Sequence, residues 1–85
     1  MASALDRQLH KLETLVEKFC IKGKEDDAIE YVEWARGYAD DFPQADDIQE
    51  AIKQVNQVGR YISADGKPQY EKVREALEKE LRNLL

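Results

Sequence analysis

Apolar residues recur at alternating steps of four and three in three separate stretches of the chain. Leu5, Leu9, Leu12, Val16 and Phe19 form the first set, and Ala28, Val32, Ala35, Ala39 and Phe42 the second. Ile48, Ile52, Val55, Gly59 and Ile62 form the third, and Tyr70, Val73, Leu77, Leu81 and Leu84 continue the habit in a shorter fourth. At about 100° per residue, each set falls on one narrow face of an α-helix. The spacing predicts four amphipathic helices, over about 4–22, 25–41, 46–61 and 68–84. No strand pattern competes, so the fold class is all-α.

Capping chemistry places the helix ends. Ser3 is suited to accept from the amides of the first turn, with Asp6 three residues on. Gly23 is suited to the left-handed turn that closes a helix. Glu25, Asp26 and Asp27 put negative charge at the positive end of the second helix. Pro43 lacks an amide hydrogen and disfavours helical geometry at Phe42, which stops that helix near Asp41. Asp46 is the expected cap of helix 3, with Gln49 at the reciprocal position. The turn-rich stretch Ser63–Pro68 follows, its proline suited to the first position of helix 4. Along helix 4, Glu75 and Lys79, and Glu78 and Arg82, stand four residues apart, each pair adding a few tenths of a kcal/mol. Every connection is short, so successive helices are expected as antiparallel neighbours, packed as two helical hairpins in one domain, 1–85.

The second helix is unusually apolar around its girth. Tyr31, Trp34 and Tyr38 lie to one side of its seam and Ile29 to the other, leaving only an arc of Glu30, Glu33, Gly37 and Asp40 clearly polar. Such a helix wants cover from two directions. It is therefore expected at the centre of the assembly, against helix 1 through its alanines and against helix 3 or 4 through its aromatics.

Composition narrows the classes of function. A net charge of −5 over 85 residues repels polyphosphate and counts against nucleic acid and anionic membrane as partners. No apolar run approaches the roughly 18–20 residues that span a bilayer. The stretch Met1–Arg7 leads straight into amphipathic helix, and Cys20 is the lone cysteine, so an intracellular, cytoplasmic protein without disulfides is expected. Catalysis finds no constellation. His10 lies roughly 15 Å along the same helix from Cys20, which continues the apolar face as a small core residue. No phosphate-cradling loop or zinc-ligand set is present, so the chain is expected to be no enzyme and to need no cofactor.

Residues 12–35 resemble one tetratricopeptide repeat. Leu12, Leu15, Val16 and Phe19 match the large first-helix positions, Gly23 the turn, and Ala28, Val32 and Ala35 the small, bulky, small series of the second helix. Pro43 comes roughly one helical turn later than the family's closing proline, and helices 3 and 4 depart from the pattern. The resemblance implies a repeat-like hairpin and a scaffolding or peptide-binding role in a groove between helices. A plain four-helix bundle is the other arrangement that the pattern allows.

Three groups of side chains are candidates for a site. The Tyr31, Trp34, Tyr38 stripe suits a binding surface, because aromatics bury large areas with few rotors to freeze. A domain this small can rarely spare its largest side chains, which favours a packing role for the three. The compromise is that Trp34 or Tyr38 is partly covered and also lines a groove. Asp26, Asp27, Glu30 and Glu33 form an acidic alternative, suited to an inhibitor or immunity-type protein that blocks a basic site. Helix 1 carries Arg7, Lys11, Lys18 and Lys22 on one flank and Asp6, Glu13 and Glu17 on the other, charges that set pairing with the acidic second helix. The pairs Asp26–Asp27, Asp40–Asp41 and Asp46–Asp47 sit at helix ends, where aspartate caps amides, and no metal site is expected. The function expected is a small non-catalytic protein–protein interaction module: an adaptor, chaperone-like or regulatory partner. A self-associating module, as a homodimer, is the third possibility, from the heptad spacing of helix 1.

Overall fold

Each of the four seams becomes a helix, with ends set by contacts that the seams do not encode. The computed structural model describes residues 3–40 and 42–85. In it α1 spans Ala4–Phe19, α2 Glu25–Tyr38, α3 Ala45–Val58 and α4 Lys67–Arg82. Two 3₁₀ turns, Gly59–Tyr61 and Ala64–Gly66, join α3 to α4. Ser3 caps α1 as expected, its hydroxyl accepting from the Asp6 amide at 3.1 Å.

Several boundaries move for identifiable reasons. α1 stops at Phe19 rather than near residue 22, because the next residues leave to pair with another loop. The Ile21 N–H donates to the Tyr61 carbonyl at 2.8 Å, and the Ser63 N–H donates to the Phe19 carbonyl at 2.7 Å. Cys20 and Ile62 thus form one antiparallel bridge that ties together the two loops at this end of the bundle. Gly23 takes φ +88° in the loop and not at the helix terminus. The cap of α3 shifts from Asp46 to Gln44, whose N–H donates to the Asp47 carboxylate at 2.9 Å. Pro68 occupies the second helical position of α4, after Lys67. α2 ends at Tyr38, with Ala39 as its cap, three residues before the expected end at Asp41, a residue that itself lies outside the described ones.

Phe42 is a clearer correction. Its place on the α2 seam predicts burial, yet 94 % of it is exposed and its φ is +54°. Pro43 denies Phe42 the helical conformation, and the turn through positive φ swings the ring off the seam. Leu84 is likewise exposed, because α4 ends two residues before it.

The helices form a ring in which each packs on two neighbours: α1 on α2 and α4, and α3 on α2 and α4. Their senses alternate. Arg36, near the end of α2, reaches Asp6 and Glu13 in α1, while Tyr70, early in α4, bonds Val55, late in α3. The core is wholly apolar apart from the Tyr70 hydroxyl, with Leu9, Leu12 and Val16 from α1, Ile48, Val55 and Val58 from α3, and Leu77 and Leu81 from α4. α2 contributes only Ala28, Val32 and Ala35. Its longest packing is along α3. α2 is thus covered from two directions, by α1 and α3, with its aromatics on the α3 side as expected, but it is one of four helices in a ring and not the centre of the assembly. The arc that carries Glu30, Glu33, Trp34 and Gly37 faces solvent.

Arg36 also corrects the pairing of charges. It bonds Glu13 at 2.7 Å and stands 3.6 Å from Asp6, so the acidic flank of α1 meets α2, while Lys11 and Lys18 border α4 beside Gln69 and Val73. On α4 the Glu78–Arg82 pair is made at 2.9 Å, whereas Glu75 stands 4.0 Å from Arg74.

Tyr70 fastens α4 to α3. Its ring lies on Gly59, its hydroxyl donates to the Val55 carbonyl at 2.8 Å, and Lys67 donates to the Gly59 carbonyl. Burial pushes the Tyr70 phenol up to about 12. Above pH about 10 an unfolded chain loses this proton while the folded chain keeps it, so stability falls as pH rises from about 10 to about 12. Tyr70→Phe is expected to cost about 1 kcal/mol at neutral pH through the lost hydrogen bond. The same variant shows a shallower alkaline loss than wild type in denaturant titrations across that window.

Candidate functional site

The flank of α2 next to α3 carries the aromatic stripe. Tyr31, Trp34 and Tyr38 follow at steps of three and four, within about 60° in projection, between the buried seam and the polar arc. The structure separates their roles. Tyr31 is half-buried, its ring stacked on Tyr61 at 6.0 Å and set edge-on to Trp34 at 5.5 Å. The neighbouring Tyr61 phenol, and after it burial, hold the Tyr31 phenol above its usual range. Trp34 and Tyr38 are 49 % and 39 % exposed. Packing on the core thus claims most of Tyr31 and leaves the other two partly exposed.

Trp34 and Tyr38 line a groove of about 470 Å³ between α2 and α3, together with Glu33, Gly37 and Gln54. Its lining is mostly apolar, with few polar groups. The Gln54 side-chain carbonyl is buried and accepts no hydrogen bond from the described residues. An unmet acceptor of this kind costs about 1–3 kcal/mol, and a donor placed over it recovers part of that.

Gly37 forms part of the groove lining. Its φ is not positive, and a Cβ built there meets nothing within 4 Å. Neither conformation nor crowding requires glycine, which weakens a helix relative to alanine. What its missing side chain does is keep the groove open beside Trp34 and Tyr38. Gly37→Ala is expected to raise stability by about 0.5 kcal/mol, read from the denaturant midpoint, while placing a methyl in the groove lining.

The acidic candidates share this face. Asp26, Asp27, Glu30 and Glu33 are all exposed on α2, with Asp27 and Glu30 seven and four residues before Trp34 on its own side. Lys24 stands 4.0 Å from Asp27, and Arg36 is turned away to α1. Aromatic and acidic sets, read from the sequence as alternatives, form one surface. Gln54 and Tyr61 escaped the sequence reading. Tyr61 lies beyond α3, in the 3₁₀ turn Gly59–Tyr61, and meets Tyr31 only through the folding of that turn. Gln54, a lone polar residue, carried no signal.

Of the other candidates, Cys20 lies near the Asp27 end of this surface and His10 on α1. Cys20 is half-buried, and burial, then the Glu25 and Asp27 carboxylates, push its thiol up, which opposes thiolate formation. His10 is exposed beside Glu13 at 3.9 Å. Among the described residues no group of three or more His, Cys, Asp or Glu is placed to hold a metal ion, and no helix is long and apolar enough to cross a membrane. The chain matches no protein-family model, curated protein or solved structure.

Proposed function

We propose that this chain is a small protein–protein interaction module, of adaptor, chaperone-like or regulatory type, that holds a partner in the groove between α2 and α3. It acts without catalysis, through Trp34 and Tyr38 as apolar contacts and Tyr31 as the residue that positions Trp34. The carrying observation is the exposure of two large aromatics side by side, Trp34 by 49 % and Tyr38 by 39 %, in a domain whose remaining aromatics, Phe42 apart, are less exposed. Aromatic side chains left in a concave apolar patch are the usual anchors of a protein interface. Gly37 and the unmet Gln54 carbonyl support the same reading, one by keeping space and the other by offering an acceptor. The resemblance of residues 12–35 to a tetratricopeptide hairpin leans the same way.

The test is capture of partners from the source cell with wild type and with Trp34→Ala, each verified as folded by circular dichroism. A partner retained by wild type and lost from the variant supports the groove. A partner held equally by both assigns binding to another face.

A further inference from the structure

We infer that the occupant of the α2–α3 groove is a cationic amphipathic helix of another protein, its apolar face on Trp34 and Tyr38 and its Lys and Arg residues against the acidic walls. This rests on the reading of that groove as the binding site and adds the chemistry of what fills it.

Charge is distributed to one sign on both walls. On α2 the exposed carboxylates of Asp26, Asp27, Glu30 and Glu33 border the aromatics. On α3, Asp47 and Glu50 lie seven and four residues before Gln54, hence on the same face as that groove residue. Cations are few here. Arg36 is committed to Glu13 at 2.7 Å, Lys24 sits by Asp27 at the first turn, Arg60 lies near Tyr31 at one end of the stripe and donates to Gln57 at 3.1 Å, and Lys53 is offset from Gln54 by about 100° around α3. A partner carrying carboxylates would be repelled, and so would a second copy presenting the same face. A basic one is attracted and steered.

Shape selects a helix. Both walls are helices of 14 residues, and the space between two packed helices receives a third, ridges into groove. No sheet edge is present among the described residues to pair with an extended strand, since Cys20 and Ile62 form only a single bridge. The Trp34 and Tyr38 rings add a π-face for Arg or Lys at the rim, and a basic side chain crossing the groove supplies a donor for the Gln54 carbonyl.

Trp34 is the sole tryptophan, so its fluorescence reports the groove directly. The full chain is titrated with three synthetic amphipathic helices that share a leucine face and differ in flanking residues: Lys and Arg, Gln, or Glu. The basic peptide is expected to shift Trp34 emission to the blue and to bind at least about tenfold tighter than the Gln peptide. The Glu peptide is expected to give no saturable signal. Raising salt from about 50 to about 300 mM weakens the basic peptide about tenfold, and a Glu30→Gln, Glu33→Gln double variant weakens it about fivefold while circular dichroism is unchanged. Equal binding of the Gln and basic peptides, without salt dependence, overturns the charge assignment and leaves the groove reading standing. A Trp34 signal that instead follows protein concentration, with dimers in sedimentation, makes a second copy the occupant and overturns the inference. Silence of Trp34 toward all three peptides removes the groove reading itself.

Discussion

Gly66→Ala is expected to destabilise the fold by about 2–3 kcal/mol, a large fraction of the few kcal/mol that hold a domain of this size. A Cβ at Gly66 would lie 2.5 Å from Cβ and Cγ of Phe19 and 2.8 Å from Cδ2. These atoms belong to the root of the side chain and move only if the last turn of α1 moves. That turn is itself pinned, through the Phe19 carbonyl, to the Ser63 amide at 2.7 Å. The clash therefore spreads into the bridge that joins the two loops. Thermal unfolding should fall by about 10–20 °C, at about 4–8 °C per kcal/mol for a domain of this length. Adding Phe19→Ala should recover only part of the loss, since the Phe19 Cβ is among the obstructing atoms. Gly59→Ala is expected to cost less, because the obstruction there is the far edge of the Tyr70 ring at 2.6–2.7 Å. That edge can yield by surrendering the bond to Val55.

The second large effect separates binding from folding. Trp34→Ala with Tyr38→Ala is expected to lower affinity for the partner by about thirty- to a hundredfold, or 2 kcal/mol and more. Both side chains are partly exposed, Trp34 by 49 % and Tyr38 by 39 %, so their removal deletes less buried area from the free protein than the loss of two core aromatics would. The stability loss should be about 2–3 kcal/mol, part of it from the edge contact between Trp34 and Tyr31. Tyr31→Ala should behave differently. Its ring bridges Trp34 to Tyr61, so stability and affinity fall together. Paired denaturant and binding titrations on the same preparations distinguish the two patterns.

The sequence carried the helices well because their seams are local and periodic. Leu9, Leu12 and Val16, or Ile48 and Val55, are buried where a helical period puts them. What escaped it depends on chain segments that meet only in space. α1 ends at Phe19 because residues 19–21 pair with residues 61–63, while nothing near Phe19 signals a stop. Gly66 reads as a turn former, yet its φ is −93° and its requirement is the close approach of Phe19.

The misreading of α2 has the same origin. Hydropathy counts apolar side chains around a helix without showing whether a neighbour covers them. Ala28 and Ala35 signal close packing and are buried, but the breadth of the aromatic stripe signals exposure as readily as burial. The candidate site was therefore half legible. Trp34 and Tyr38 could be named from their spacing. That Asp27, Glu30 and Glu33 stand beside them on one open face, with Gln54 across the groove, needed the packing of α3.

Whether Trp34 stands open in the free chain and closed in the complex is the most direct question to put to this account. Acrylamide quenching of its fluorescence answers it, with sedimentation verifying a dilute monomer. Ready quenching alone and strong protection once the partner is bound is the predicted result. A Trp34 shielded in the lone monomer, or equally quenched with and without partner, contradicts it.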